Sequence, residues 1–249
     1  MSLSLPQVPE AIAGALEALV QDLSARAGQD FAGLVLFGGL ARGRYRAGRS
    51  DVNVVVLLHR ADADVLRKLA PALRTARRAV GVDAMLLATS EVATAALDFP
   101  TKFLDIRRHH IVLHGEDLFA SLDIPLAAVQ RRVAQSLRNM LLRLRRRYLA
   151  SCDDAEEMQL ALADIARPLA IDFAALLLAS GQAVPDEDRT AAVYALAGQA
   201  YGLDADTLSD LAALRDRGYC DEDAVRLCER LLDLLSNLAD RVDAMARAA

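Results

Sequence analysis

Seven consecutive residues, 52–58, are apolar except for Asn53. A strand with one solvated face alternates apolar and polar side chains, whereas a run apolar at both phases is buried on both faces. Such a strand needs neighbours in a sheet and a layer of structure above and below it. The flanking sequence supplies both. Residues 8–27 carry Ile12, Leu16, Leu19, Val20 and Leu23 on a helical stripe that Gly28 ends. Leu34-Val-Leu-Phe37 reads as a short strand stopped by Gly38-Gly39. Beyond the apolar run, residues 64–79 form a second helix, apolar at Val65, Leu69 and Leu73, and 80–88 is a third strand candidate. Thr89-Ser90-Glu91 opens a further helix with a hydroxyl as its cap. Ile111-Val-Leu113 is a short strand ended by His114-Gly115. The order αββαβαβ predicts an α/β layer.

After Pro125 the strand signals stop. The remaining sequence is helical in pattern and broken at 151–154, 181–185, 202–204 and 218–221, which predicts a bundle of four or five helices. Its last segment repeats Cys228, Leu231, Leu235, Leu238, Val242 and Met245 at three- and four-residue steps, a packing seam. The expected architecture is α+β: a mixed sheet with flanking helices over residues 1–122, then an all-α helical bundle over 123–249.

The chemistry concentrates in Phe37-Gly-Gly-Leu-Ala-Arg-Gly43, followed after six residues by Ser50-Asp-Val-Asn53. A strand here delivers a glycine turn whose bare N–H groups can approach a phosphate closely. A helix is expected after that turn, with an N-terminus that favours the same anion. Asp51 and residue 53 lie two apart on a strand and share one face. Two carboxylates so placed would hold Mg²⁺ between protein and triphosphate. Asp83, in Val80-Gly-Val-Asp-Ala-Met-Leu, lies in the neighbouring strand candidate and is either a third carboxylate or an acid at a strand edge. Arg42 is either a phosphate ligand or a solvated loop residue.

This segment resembles the nucleotidyltransferase superfamily of the polymerase-beta type, including its minimal and aminoglycoside-modifying members. Gly38-Gly39, Asp51 and Asp83 match the family pattern, the motif spans residues 34–58, and the layout extends the likeness to about 116. The Leu113-His-Gly-Glu-Asp117 ending is similar to the one that closes the sheet in such proteins. The resemblance implies transfer of a nucleoside monophosphate from an NTP to a small-molecule or protein hydroxyl. Asp51, Asn53 and Asp83 would form the catalytic, metal-holding set, Gly38, Gly39, Arg42 and Ser50 the nucleotide-binding set, and Mg²⁺ the cofactor. Two positions depart from the pattern. Gly39 stands where many members have a phosphate-binding Ser, and Asn53 replaces the second acid. The alternative is therefore a catalytically degenerate member that binds nucleotide or a partner protein, in the manner of an antitoxin.

Net charge −5 and 4% aromatic residues argue against bulk nucleic-acid binding and base-stacking platforms. No apolar run reaches the ~18 residues of a membrane span. Glu10 and Glu17 interrupt the N-terminal apolar stretch, so it reads as an amphipathic helix and not a signal peptide. Cys152, Cys220 and Cys228 have no disulfide or metal spacing, which reads as a cytoplasmic chain with free thiols. The helix over 127–149 carries Arg131, Arg132, Arg138, Arg143, Arg145, Arg146 and Arg147. They form either a solvated face, partly neutralised by Asp153, Asp154, Glu156 and Glu157, or an anion-binding wall. A homodimer, and separately a purely structural oligomer built through the C-terminal seam, are further expectations.

Overall fold

The computed structural model describes residues 8–46, 50–185, 190–218 and 223–248. Cys220 and the last part of the 218–221 break lie outside the described residues. Helix α1 (Glu10–Ala27) buries Ile12, Leu16, Leu19 and Leu23 and ends at Gly28, with φ 54°. A single 3₁₀ turn, Gly28–Asp30, leads directly into β1 (Phe31–Phe37), which begins three residues before the apolar run suggested. Gly33 is the reason. It reads as a breaker, yet it sits where strands approach so closely that an added Cβ would lie 2.9 Å from the His114 carbonyl oxygen.

Strand β2 (Val52–Leu58) has the expected bounds. Helix α2 (Ala63–Val80) starts at Asp62, whose carboxylate accepts from the backbone N–H groups of Asp64 and Val65, each at 3.1 Å. The Val65 hydrogen bond leads the contributions that hold the Asp62 carboxyl below its ordinary value. Gly81, with φ 71°, closes α2 in the left-handed conformation, so β3 (Val82–Ala88) begins two residues later than expected. The cap that follows is not a hydroxyl: the Glu91 carboxylate accepts from Ala88 N–H at 2.8 Å. Two helices, α3 (Val92–Asp98) and α4 (Pro100–Arg108), then stand where one was expected. Pro100 separates them, because it suits a first helical turn and disfavours helix in the residue before it. Strand β4 (His110–Gly115) completes the sheet.

The sheet order is β3-β2-β1-β4. β2 and β3 run parallel through α2, and β1 is antiparallel to both β2 and β4, so the sheet is mixed. β2 is an interior strand. Its Val52, Val54, Val56 and Leu58 pack with Leu34 and Leu36 under Leu16, Leu19, Leu23, Val65 and Leu69 of α1 and α2. The alternate residues Val35, Val55 and Leu57 are equally buried. This accounts for an apolar run at both phases.

Gly115 has φ 85°, and a Cβ there would lie 2.8 Å from Gly33 Cα and closer still to the Ala32 carbonyl oxygen. Gly115→Ala is expected to destabilise by about 2–4 kcal/mol, combining left-handed strain with a backbone clash. Gly81→Ala serves as the control, because its φ of 71° is similar but nothing lies within 4 Å. It should cost only the ~1–2 kcal/mol of the left-handed conformation. Equal losses in urea unfolding would rule out the close-approach account.

Helices α5 (Leu126–Ser151), α6 (Ala155–Ala179), α7 (Thr190–Tyr201), α8 (Ala205–Arg217) and α9 (Ala224–Ala248) follow. The chain forms two compact units. One runs to Asp98 and includes Asp105–Asp123; the other comprises Phe99–Leu104 and the chain from Ile124 onward. The α9 seam is consumed inside the second unit: Cys228, Leu231, Leu235, Leu238 and Val242 are buried, and α9 packs along α5. Met245, the last residue of the seam, is exposed. Arg138 of α5 reaches Asp240 at 3.4 Å and Asp243 at 3.1 Å on α9. Asp154, by contrast, caps α6 through Glu156 and Glu157 N–H, and Glu157 accepts from the Ser151 hydroxyl. Among the described residues, no ion pair joins the arginines of α5 to the 153–157 acids. Among the described residues no helix is long and apolar enough to cross a membrane.

Candidate functional site

Strand register brings the proposed acids to one end of the sheet. Asn53 on β2 is the cross-strand partner of Asp83 on β3 and of Phe37 on β1, and Phe37 is in turn the partner of His110 on β4. Directly paired residues point to the same face, so Asp83, Asn53, Phe37 and His110 form one row across four strands. Asp51 immediately precedes β2 and lies on that face two residues before Asn53. Its Cα is diagonal to that of Asp83, at roughly 8 Å from strand spacing and rise. Asp51 and Asp83 are exposed and Asn53 is half-buried.

Gly38 follows β1 with φ 76°, and a Cβ there would lie 3.2 Å from Asn53 Nδ2. The glycine therefore lets the turn lie directly against the Asn53 amide. Gly39 has no such constraint. The helix expected after this turn does not form. Residues 38–43 make a single coiled turn in which Arg42 N–H donates to Gly38 O at 3.3 Å, Gly43 N–H to Leu40 O at 3.0 Å and Arg44 N–H to Gly39 O at 2.7 Å. Among the described residues, the N–H groups of Gly39, Leu40 and Ala41 make no hydrogen bond. They resemble the orphan donors of a helix's first turn, although no extended helix dipole stands behind them.

Arg42 is anchored by Asp105, with which it forms an ion pair. Asp105 lies on α4, far away in sequence, and no local pattern in the sequence marks it. Ser50 closes its own loop: its Oγ accepts from Arg46 N–H at 3.0 Å, and its N–H donates to Arg46 O at 2.9 Å. His110 is held on both sides. Its Nδ1 lies 2.8 Å from the Ile106 carbonyl and its Nε2 3.0 Å from each Asp117 carboxylate oxygen. Burial works against ionisation of Asp117, but the His110 bond and the Phe119 and Ala120 N–H groups outweigh it and hold the carboxyl below its ordinary value. His114 is a strand residue stacked on Phe31 at 5.1 Å, which is a packing role.

Asn53 Nδ2 makes one long contact, to the Asp51 carbonyl oxygen at 3.5 Å. A carboxylate there would instead set oxygen against oxygen, an arrangement that a cation relieves. Among the described residues no group of three His, Cys, Asp or Glu side chains could hold a metal ion. The donor set that remains is two carboxylates, Asp51 and Asp83. That set fits one Mg²⁺ shared with substrate phosphates, since Mg²⁺ commonly takes one or two protein carboxylates and keeps water or phosphate for the rest. It does not fit a two-metal centre.

No family model matches the chain, and neither does any curated protein. Among solved structures, a spectinomycin adenyltransferase from Enterococcus faecialis, determined with ATP and spectinomycin, superposes with a TM-score of 0.49 at 15% identity, covering 90% of this chain and 98% of that one.

Proposed function

We propose that the sheet end formed by Gly38, Asp51, Asn53 and Asp83 binds a nucleoside triphosphate, and that the protein is nucleotidyltransferase-like. Its reaction would transfer a nucleoside monophosphate to a hydroxyl of a small molecule or protein. The carrying observation is the strand register that sets Asn53 beside Asp83 with Gly38 packed against the Asn53 amide. The orphan N–H groups of Gly39, Leu40 and Ala41 would take phosphate oxygens, and Arg42, fixed by Asp105, would add positive charge to the same turn. Asp51 and Asp83 would hold one Mg²⁺. When bound, that ion would neutralise the triphosphate and help polarise the attacking hydroxyl. The acceptor oxygen bonds to the α-phosphorus, pyrophosphate leaves, and the hydroxyl proton passes to solvent.

One observation favours a second reading, a nucleotide- or protein-binding module without turnover: the side chain in register with Asp83 is the neutral amide of Asn53, so this row of the sheet carries one carboxylate fewer for a cation. Calorimetric titration of ATP and the other NTPs, with and without Mg²⁺ or Mn²⁺, joined to a pyrophosphate-release assay, tests both. The expected result is weak NTP binding with little dependence on Mg²⁺. Tight, metal-dependent binding with turnover would remove the binding-module reading. Failure of every NTP to bind, with or without metal, would remove the transferase reading and the nucleotide-binding form of the second.

A further inference from the structure

We infer that His110 and Asp117 are positioning residues for the phosphate-binding turn: together they hold the last turn of α4, from which Asp105 holds Arg42. The effect on binding rests on the nucleotide reading, whereas the contacts themselves do not. All of these residues belong to the first unit.

Helix α4 ends at Arg108, so its last carbonyls need donors from beyond the helix. The backbone supplies one, because His109 N–H donates to Asp105 O at 3.0 Å. A continuing helix would bring the N–H of residue 110 to Ile106 O in the same way. Residue 110 instead opens β4, and its ring reaches back, with Nδ1 2.8 Å from Ile106 O. The side chain thus stands in for the missing backbone donor and caps the helix. The ring is braced in that position. Its Nε2 lies 3.0 Å from both oxygens of Asp117, which is itself fixed by the N–H groups of Phe119 at 2.9 Å and Ala120 at 3.1 Å. Phe119, fully buried, lies against the ring with centroids 5.8 Å apart.

The turn held in this way is the one that carries Asp105. The two capped carbonyls are those of Asp105 and its neighbour Ile106, and the Asp105 carboxylate forms the ion pair with Arg42, 63 residues away in sequence. An arginine already held in one conformation loses less rotamer freedom on meeting a phosphate than one that is not. Fraying at the end of α4 would release Asp105, and Arg42 with it. His114, four residues further along β4, stacks on Phe31 instead and serves as the comparison.

Nitrogen-15 NMR of the arginine side chains in the full chain, with no nucleotide added, reads the Arg42–Asp105 pair. The Arg42 signal is assigned by its loss in Arg42→Lys, and Asp105→Asn gives the position of a released Arg42. His110→Ala is expected to move the signal most of the way to that position. His110→Asn, whose amide nitrogen falls near the place of Nδ1, should keep it close to the wild-type position, and His114→Ala should not move it. Calorimetric titration with ATP then reads binding. His110→Ala should weaken ATP about threefold to tenfold in the wild-type background and not at all in Arg42→Ala, since both changes act on one contact. Where His110→Ala does not fold, Asp117→Asn takes its place with the same expected shift and the same coupling. An Arg42 signal that stays at the wild-type position in these variants would overturn the relay. So would an equal shift in His114→Ala, or affinity losses that add across the two backgrounds. A signal that moves as expected in a protein that binds no ATP upholds the relay and counts against the nucleotide reading instead.

Discussion

Replacing Asn53 with Asp is expected to raise the affinity for NTP with Mg²⁺ on the order of 100-fold and to make strong a metal dependence expected to be slight in the wild type. One unit pair at ~4 Å and an effective dielectric of ~20 is worth about 4 kcal/mol. A divalent ion increases that figure, and desolvation and relaxation reduce it. A net gain of about 2–3 kcal/mol corresponds to roughly two orders of magnitude in dissociation constant. Asn53 Nδ2 now faces the Asp51 carbonyl oxygen at 3.5 Å, and a carboxylate at that position meets it with like partial charge until a cation enters. The variant should therefore melt below the wild type without metal and above it with saturating NTP and Mg²⁺. A ligand present at 100 times its dissociation constant contributes about 2.7 kcal/mol. If Asn53→Asp binds NTP no better, or binds it equally well in the presence of a chelator, Asp51 and Asp83 do not form a metal-holding pair and the proposed site is wrong.

The parts legible in the sequence were those written in local periodicity. The run of β2, the stripe of α1 and the breaks at 151–154 and 202–204 fall where pattern placed them, because burial imposes a period on neighbouring residues. What pattern missed has specific causes. Gly33 concealed the start of β1, because a glycine needed for close approach of strands looks the same as one that ends them. The helix expected after Gly38-Gly39 is a single turn, since only the N–H groups of Arg42, Gly43 and Arg44 fold back onto nearby carbonyls. The α9 seam was rightly read as a packing face, but its partner, α5, is contributed by the same chain. At the candidate site, the acid–apolar–Asn pattern and Asp83 were visible because a strand period of two puts them on one face. Asp105 and the His110–Asp117 contact were not, since each depends on a long-range fold that no short spacing encodes.

Asp172→Asn is expected to stabilise the protein at neutral pH by up to about 3 kcal/mol and to do almost nothing near pH 4. Asp172 sits on α6 with 7% of its surface exposed, and its Oδ2 has no hydrogen-bond partner among the described residues. Burial pushes its carboxyl up to about 6, only partly offset by the Ser136 hydroxyl and the charge of Arg132. The unfolded chain releases this proton near pH 4. Between these values the folded state holds a proton that the unfolded state has lost, so stability falls as pH rises through about 4 to 6 and stays low above that window. Roughly two pH units at 1.36 kcal/mol each give the expected magnitude. Asp62, Asp117 and Asp204 shift in the opposite direction, and their stabilising contributions fade on acidification instead. They are common to both proteins, so the difference between wild type and variant isolates Asp172. Urea midpoints at pH 4 and at pH 7.5 supply that difference, and the gap should open only at the higher pH. If the variant is instead the less stable protein at pH 7.5, Arg132 stabilises the ionised carboxylate by more than burial penalises it, and Asp172 is one half of a buried ion pair.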